Sequence, residues 1–154
     1  MLKRILLVLA GLILLIVVFL FLLEIFTAGH PPSKRTVCRH HMLNLGNYVL
    51  LYADKTGRLP NSSRWVKEVR DWLPDDSTRE WYARMLKCPE DRSNSETSYE
   101  MNPDLSGRRL AEFENIPTSQ YVQTVLLREK QFPGSHGWIV YLDGHAERLV
   151  KSTD

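Results

Sequence analysis

Residues Ile5–Thr27 read ILLVLAGLILLIVVFLFLLEIFT, with a single charge, Glu24, close to the far end. As a helix rising about 1.5 Å per residue, the run extends roughly 33 Å, about the thickness of a bilayer's hydrocarbon core. In lipid a backbone must satisfy its own hydrogen bonds, so an isolated apolar run of this length is helical. A cleaved secretory signal is the alternative, with Lys3 and Arg4 as its charged n-region and Thr27-Ala28-Gly29 as a poor cleavage site. Signal h-regions run only ~7–15 residues, so residues 1–28 read as a retained transmembrane anchor. Gly29-His30-Pro31-Pro32 then stops the helix, because proline lacks a donor and pushes the residue before it toward extended geometry. Residues 29–35 form a proline-containing neck, and 36–154 remain for one modest domain.

Charge excludes one class of function. Of the 20 Lys and Arg only Lys3 and Arg4 precede the run, and of the 18 Asp and Glu only Glu24 lies within it, leaving a net +1 beyond. Nucleic-acid binding needs a strong basic patch, so no nucleic-acid partner is expected. Locally, His30, Lys34, Arg35, Arg39, His40 and His41 crowd the residues just past the run. Lys34, Arg35 and Arg39 are the expected contacts with anionic headgroups, each worth ~1 kcal/mol near the surface. Positive charge on the two sides of the span ties, so it does not orient the chain. Cysteine usage does: Cys38 and Cys88 both follow the span, and an even pair suits a disulfide in an oxidising compartment. The N-terminus is therefore expected inside and the domain outside.

The domain opens with a helix capped by Ser33 or Thr36 and running to about Tyr52-Ala53. Cys38, Met42, Leu45, Val49 and Tyr52 recur at helical spacing, while Leu43, Leu50 and Leu51 widen the stripe. A helix apolar nearly all round is buried, which makes it the spine of the core. Gly57 stops it. Two short amphipathic helices follow, one capped by Asn61-Ser62-Ser63 and carrying Trp65, Val69 and Trp72, the other running from Thr78 to about Leu86 with Trp81, Tyr82 and Met85. These Trp fall on apolar faces and read as core. Beyond a polar loop over 90–96 the period changes. Thr97–Met101 and Tyr121–Arg128 read as strands, with one or two helical turns between them over Arg108–Glu114. Gly137–Leu142, Asp143-Gly144 and His145–Val150 carry a hairpin signature, since Asp-Gly fits a type I′ turn. A two-residue loop would pair Leu142 with His145, Val140 with Glu147 and Trp138 with Leu149. The fold class is α+β: an N-terminal transmembrane helix, then a helix packed on an antiparallel sheet that ends in a hairpin.

Several of these residues fall in a familiar order. Cys38, Asn44-Leu45-Gly46, Tyr52-Ala53-Asp54 and Gly57-Arg58-Leu59-Pro60 resemble the start of the soluble domain in type II secretion pseudopilin-like proteins. Cys88-Pro89-Glu90-Asp91, Ser98-Tyr99-Glu100-Met101-Asn102, Thr124-Val125-Leu126-Leu127 and His136 with Asp143-Gly144-His145 keep the family's order over about 36–150. The resemblance implies a pilin-like fold, a long N-terminal helix half in the membrane with its outer half on an antiparallel sheet. It also implies a single pass through a bacterial inner membrane with the C-terminal domain in the periplasm. Two departures matter: the prepilin signal is missing, because Gly11 has Ile16 where the family carries Glu and Glu24 has no Gly at the matching place, and His136 lies nearer the Asp143-Gly144 turn than the family pattern has it.

Catalytic motifs are not evident. Ser135-His136 lacks the GxSxG context of a nucleophile elbow, neither cysteine has a partner base, and no Gly-rich phosphate loop occurs. No cofactor is expected. A metal cluster of His136, Asp143 and His145 is the alternative to a turn in which Asp143 and Gly144 are purely structural. Glu24 either reaches for headgroups or contacts a neighbouring span, since ionisable groups in spans usually have a partner. The chain is thus expected to be a non-enzymatic accessory subunit of a larger membrane assembly for secretion, transport or energy conversion, with other membrane subunits and the lipid bilayer as partners. A minor pseudopilin, or a membrane-tethered metal binder or enzyme, are the alternatives.

Overall fold

A computed structural model describes the backbone of residues 2–27 and 31–149 and the side chains of 11–23 and 31–149. The chain forms two compact units, Met1–Pro32 and Ser33–Asp154. In the first, Leu2–Thr27 is one helix, α1, and every residue from Leu12 to Leu22 is a large apolar side chain left exposed. Among the described residues no helix is long and apolar enough to cross a membrane. The side chain of Glu24 and residues Ala28, Gly29 and His30 lie outside the described residues.

The second unit is α+β. Its spine is α2 (Lys34–Thr56), which begins one residue after Ser33, so Lys34 and Arg35 belong to the helix and not to the neck. The Ser33 hydroxyl accepts from the Thr36 amide, satisfying one of the donors that a helix start leaves free. Gly57 closes the helix at φ 75°, and its N–H returns to the Ala53 carbonyl. The stripe Cys38, Met42, Leu45, Val49 and Tyr52 is buried together with Gly46 and Ala53. One face of α2 lies on the sheet, and α3 (Trp65–Trp72) and α4 (Asp76–Met85) pack beside it. Leu51 departs from expectation: it points outward and is 49% exposed.

Asp75 caps α4, its carboxylate accepting from the Thr78 amide and hydroxyl. The bond from the Ser77 hydroxyl, together with those from Thr78, holds the Asp75 carboxyl down at about 2. Asn61 turns the chain ahead of α3 instead of capping it, and Arg64 stands at the helix start without a side-chain capping bond. On α4 the buried residues are Tyr82 and Met85, three apart, so Trp81, one step round the helix, is turned out and 55% exposed. Trp65 is buried, and Trp72 meets Tyr52 edge-on at 6.0 Å.

Four strands follow, β1 (Tyr99–Met101), β2 (Val125–Glu129), β3 (Trp138–Tyr141) and β4 (Ala146–Arg148), antiparallel in sequence order. Between β1 and β2 lie two 3₁₀ turns and a single helical turn, α5 (Thr118–Tyr121). The expected strand over Tyr121–Arg128 begins only at Val125, because Pro117 starts that turn and its carbonyl accepts from Gln120 and Tyr121.

The hairpin is corrected by one residue. Trp138 pairs with Arg148, Ile139 with Glu147 and Val140 with Ala146, leaving a three-residue loop, Leu142-Asp143-Gly144. A type I′ turn needs φ > 0 at both central residues, and among the described residues only glycines have it, here Gly144 at 87°. The pairing first read from Asp-Gly would have put Glu147 beside Val140 on the core face. The observed pairing puts Ala146 there and leaves Glu147 outside.

Candidate functional site: the basic, disulfide-stapled end of the domain

At the end where the chain enters this domain, α2, β2, β3 and the loop after α4 converge. Cys38 on α2 is bonded to Cys88, with their Cα atoms 4.9 Å apart across 50 residues of sequence, and no free cysteine remains. Both sulfurs are buried. Beside them lies Glu129, the last residue of β2, whose carboxylate falls within 4.8 Å of both sulfurs and is sealed from solvent. Its Oε2 accepts from the backbone N–H of His136 at 2.7 Å and of Trp138 at 3.2 Å. Its Oε1 has no hydrogen-bond partner among the described residues. The carboxylate therefore fixes the bend by which the chain enters β3.

That bend sets Trp138 against α2. Arg35 and Arg39, four residues apart on one helix face, both bring their guanidinium carbon over its ring, at 5.9 and 5.6 Å from the centroid. Arg35 and Lys34 are exposed, and Arg39 is half-buried. Adjacent to them is an open cavity of about 590 Å³, with Lys34, Glu90, Arg92 and Phe132 in its wall. His136 stands 3.5 Å from Glu90. His41, counted among the surface charges in the sequence, instead turns inward and donates from Nδ1 to the Lys87 carbonyl at 3.0 Å.

The loop after Cys88 is built on Asp91. Its carboxylate accepts from Ser98 Oγ at 2.6 Å, the Ser93 amide at 2.8 Å and Lys87 Nζ at 3.1 Å. Ser98 in turn accepts from the Cys88 amide, tying the loop to the disulfide. Burial pushes the Asp91 carboxyl up, but the bonds from Ser98, Ser93 and Lys87 outweigh it and hold the group well below the usual carboxylate range.

The His136, Asp143 and His145 cluster is not assembled. His136 lies at the start of β3 with Glu129 and Glu90, whereas Asp143 and His145 lie past its other end. There the His145 ring stacks on Tyr141 at 4.3 Å, and Asp143 accepts from the His145 amide. Gly144 approaches Leu50 and Asn47 of α2, so Asp143 and Gly144 serve the turn. The group with metal-ligand chemistry that does come together among the described residues is Cys38, Cys88 and Glu129, and the disulfide has consumed both of its sulfurs. Glu129 carries a signal in the sequence: alternation along β2 puts Leu127 in, Arg128 out and Glu129 in. Its partners in the bend carry none.

Neither a family model, nor a curated protein, nor a solved structure matches the chain.

Proposed function

We propose that this chain is a non-enzymatic, single-pass membrane protein that presents a pilin-like domain and acts as an accessory subunit of a larger membrane assembly. The observation that carries this reading is the pairing of two unlike helices in one chain. Helix α1 exposes large apolar side chains at every residue from Leu12 to Leu22, a surface that soluble monomers do not leave to water. Helix α2, after Pro31-Pro32, is instead buried on a four-stranded antiparallel sheet. The ordered motifs shared with pseudopilin-like proteins support the pilin-like part, and the Cys38–Cys88 bond supports a domain on the oxidising side of a bacterial inner membrane. Glu24 belongs to the anchor in this reading, as a contact for headgroups or for a neighbouring span.

Fractionation tests it. The full chain expressed in a bacterium is expected in the membrane pellet, resistant to alkaline carbonate and released by mild detergent together with its partner subunits. Release by carbonate alone overturns the anchor. An N-terminus found cut and methylated would instead make the chain a minor pseudopilin.

A further inference from the structure

Trp138 is packed against the core, but the two charges that Arg35 and Arg39 bring over its ring are not explained by the domain's own packing. A cation over an indole face gains from the ring quadrupole, yet here two guanidinium groups share one ring, and among the described residues none of their N–H groups has a hydrogen-bond partner. Of the neighbouring acids, Asp91 is paired with Lys87, and Glu90 lies 3.5 Å from the His136 ring. Among the described residues no ion pair reaches Lys34, Arg35 or Arg39. The ring itself is held by the backbone bond from Trp138 to buried Glu129 and by a disulfide anchoring Cys38, one residue from Arg39. The surface is therefore pre-organised, positive and aromatic at its centre.

We infer that Arg35, Trp138 and Arg39 form a clamp for the phosphate headgroups of an anionic bilayer, fixing the orientation of the domain on the membrane. This rests on the anchored reading above. Charge complementarity selects a polyanionic surface, and guanidinium groups match phosphate geometry with paired N–H donors. Chain length brings the two together: Thr27 ends α1 and Ser33 caps α2, so the five intervening residues reach at most about 20 Å when fully extended. A bilayer holding α1 is thus within reach of the first turns of α2. Cations already leaning on a fixed ring lose less freedom on meeting phosphate than solvated ones do.

The test uses the full chain labelled with 5-fluorotryptophan in lipid nanodiscs that carry a gadolinium-chelating headgroup lipid. Trp138→Phe assigns its fluorine resonance among the four. In discs containing phosphatidylglycerol the Trp138 resonance is expected to broaden more than those of Trp65, Trp72 and Trp81. In phosphatidylcholine discs, or with Arg35→Gln/Arg39→Gln, the excess should fall, by roughly fivefold per lost cation in the headgroup-bound population. Both arginines lie outside the core, and circular dichroism checks that the variants fold. A chain that enters the discs with Trp138 no broader than the other three overturns the clamp alone and leaves the surface to an acidic protein partner. Excess broadening that survives the double substitution also overturns it. A chain that never enters the discs overturns the anchored reading, and the clamp with it.

Discussion

Gly46→Ala tests the packing of α2 on the sheet through the sign of its effect. Gly46 lies inside α2, where glycine costs about 0.8–1.0 kcal/mol relative to alanine. On a helix with nothing above it, the substitution should therefore stabilise by about that amount. Here a Cβ at position 46 would stand 2.8 Å from Val140 Cγ1, with Val140 Cβ and Cγ2 at 3.6 and 3.8 Å. Val140 is fully buried in the middle of β3, and a β-branched side chain has little χ1 freedom with which to retreat. Inserting a methyl into a packed core costs about 1–3 kcal/mol. Set against the helix gain, the net is a loss of about 0–2 kcal/mol.

A double-mutant cycle sharpens this. Val140→Ala alone should cost about 2–3 kcal/mol, from lost burial and an incompletely closed cavity. In the combined variant the new methyl at 46 occupies part of that cavity and regains the helix propensity. The pair should then be more stable than the two single losses summed, by about 1–2 kcal/mol. Urea titration of the full chain in mild detergent, followed by tryptophan fluorescence, measures all four corners. A Gly46→Ala variant that gains the whole ~1 kcal/mol, with an additive cycle, would refute the close approach of α2 to β3.

Leu45→Ala removes a fully buried side chain of α2 and should cost about 2–4 kcal/mol in the same titration; a loss of a few tenths would mean the helix is not the core's spine. Reducing the Cys38–Cys88 bond releases a closed loop of 50 residues and should cost about 4 kcal/mol, read as the difference in urea midpoint with and without reductant. Tyr82→Phe deletes a buried hydroxyl that has no partner among the described residues, and keeps the edge-on contact with Tyr48 at 5.6 Å. It should be neutral or stabilising by about 1 kcal/mol, and a clear loss would show that the hydroxyl is satisfied after all. Asp91 gives a pH signature. Its folded carboxyl sits below the ordinary value of 3.8, so its stabilisation is complete above that value and fades as pH falls through and below it. Asp91→Asn should cost about 2–3 kcal/mol at pH 7 and progressively less under acid, flattening the loss that the unmodified chain shows below about pH 4.

What the sequence disclosed follows from how local each determinant is. The spine of the domain was legible because Cys38, Met42, Leu45, Val49 and Tyr52 repeat at helical spacing and Gly57 marks the stop; both signals lie within the segment itself. The disulfide was legible from an even count. Trp81 was misplaced because fewer than three turns of mixed residues do not say which side of a ten-residue helix meets the core; Tyr82 and Met85 settle it, and only against Tyr48 on α2. The basic end was half legible: Lys34, Arg35 and Arg39 announce themselves, but Trp138 and Glu129 join them from about a hundred residues away by strand order.

The hairpin is the most instructive departure, because a turn signal and a core requirement disagreed there. Asp143-Gly144 alone favours a two-residue loop, and that loop would start the return strand at His145. Leu142, however, is fully buried and its N–H is already given to the Thr124 carbonyl at 2.8 Å, extending the pairing of β2 with β3 by one step. A residue committed to the strand before it cannot also be the first partner of the strand after it. The chain therefore spends Leu142 on the β2 side, lets the Tyr141 N–H reach the His145 carbonyl at 2.9 Å, and places Gly144 alone in the left-handed region. That one-residue step decides which side chains of β4 face α2. It brings Ala146 and not Glu147 beside Val140, the same Val140 whose methyl stands over Gly46. A neighbouring strand and a facing helix thus fix the register together, and the turn accommodates what they require.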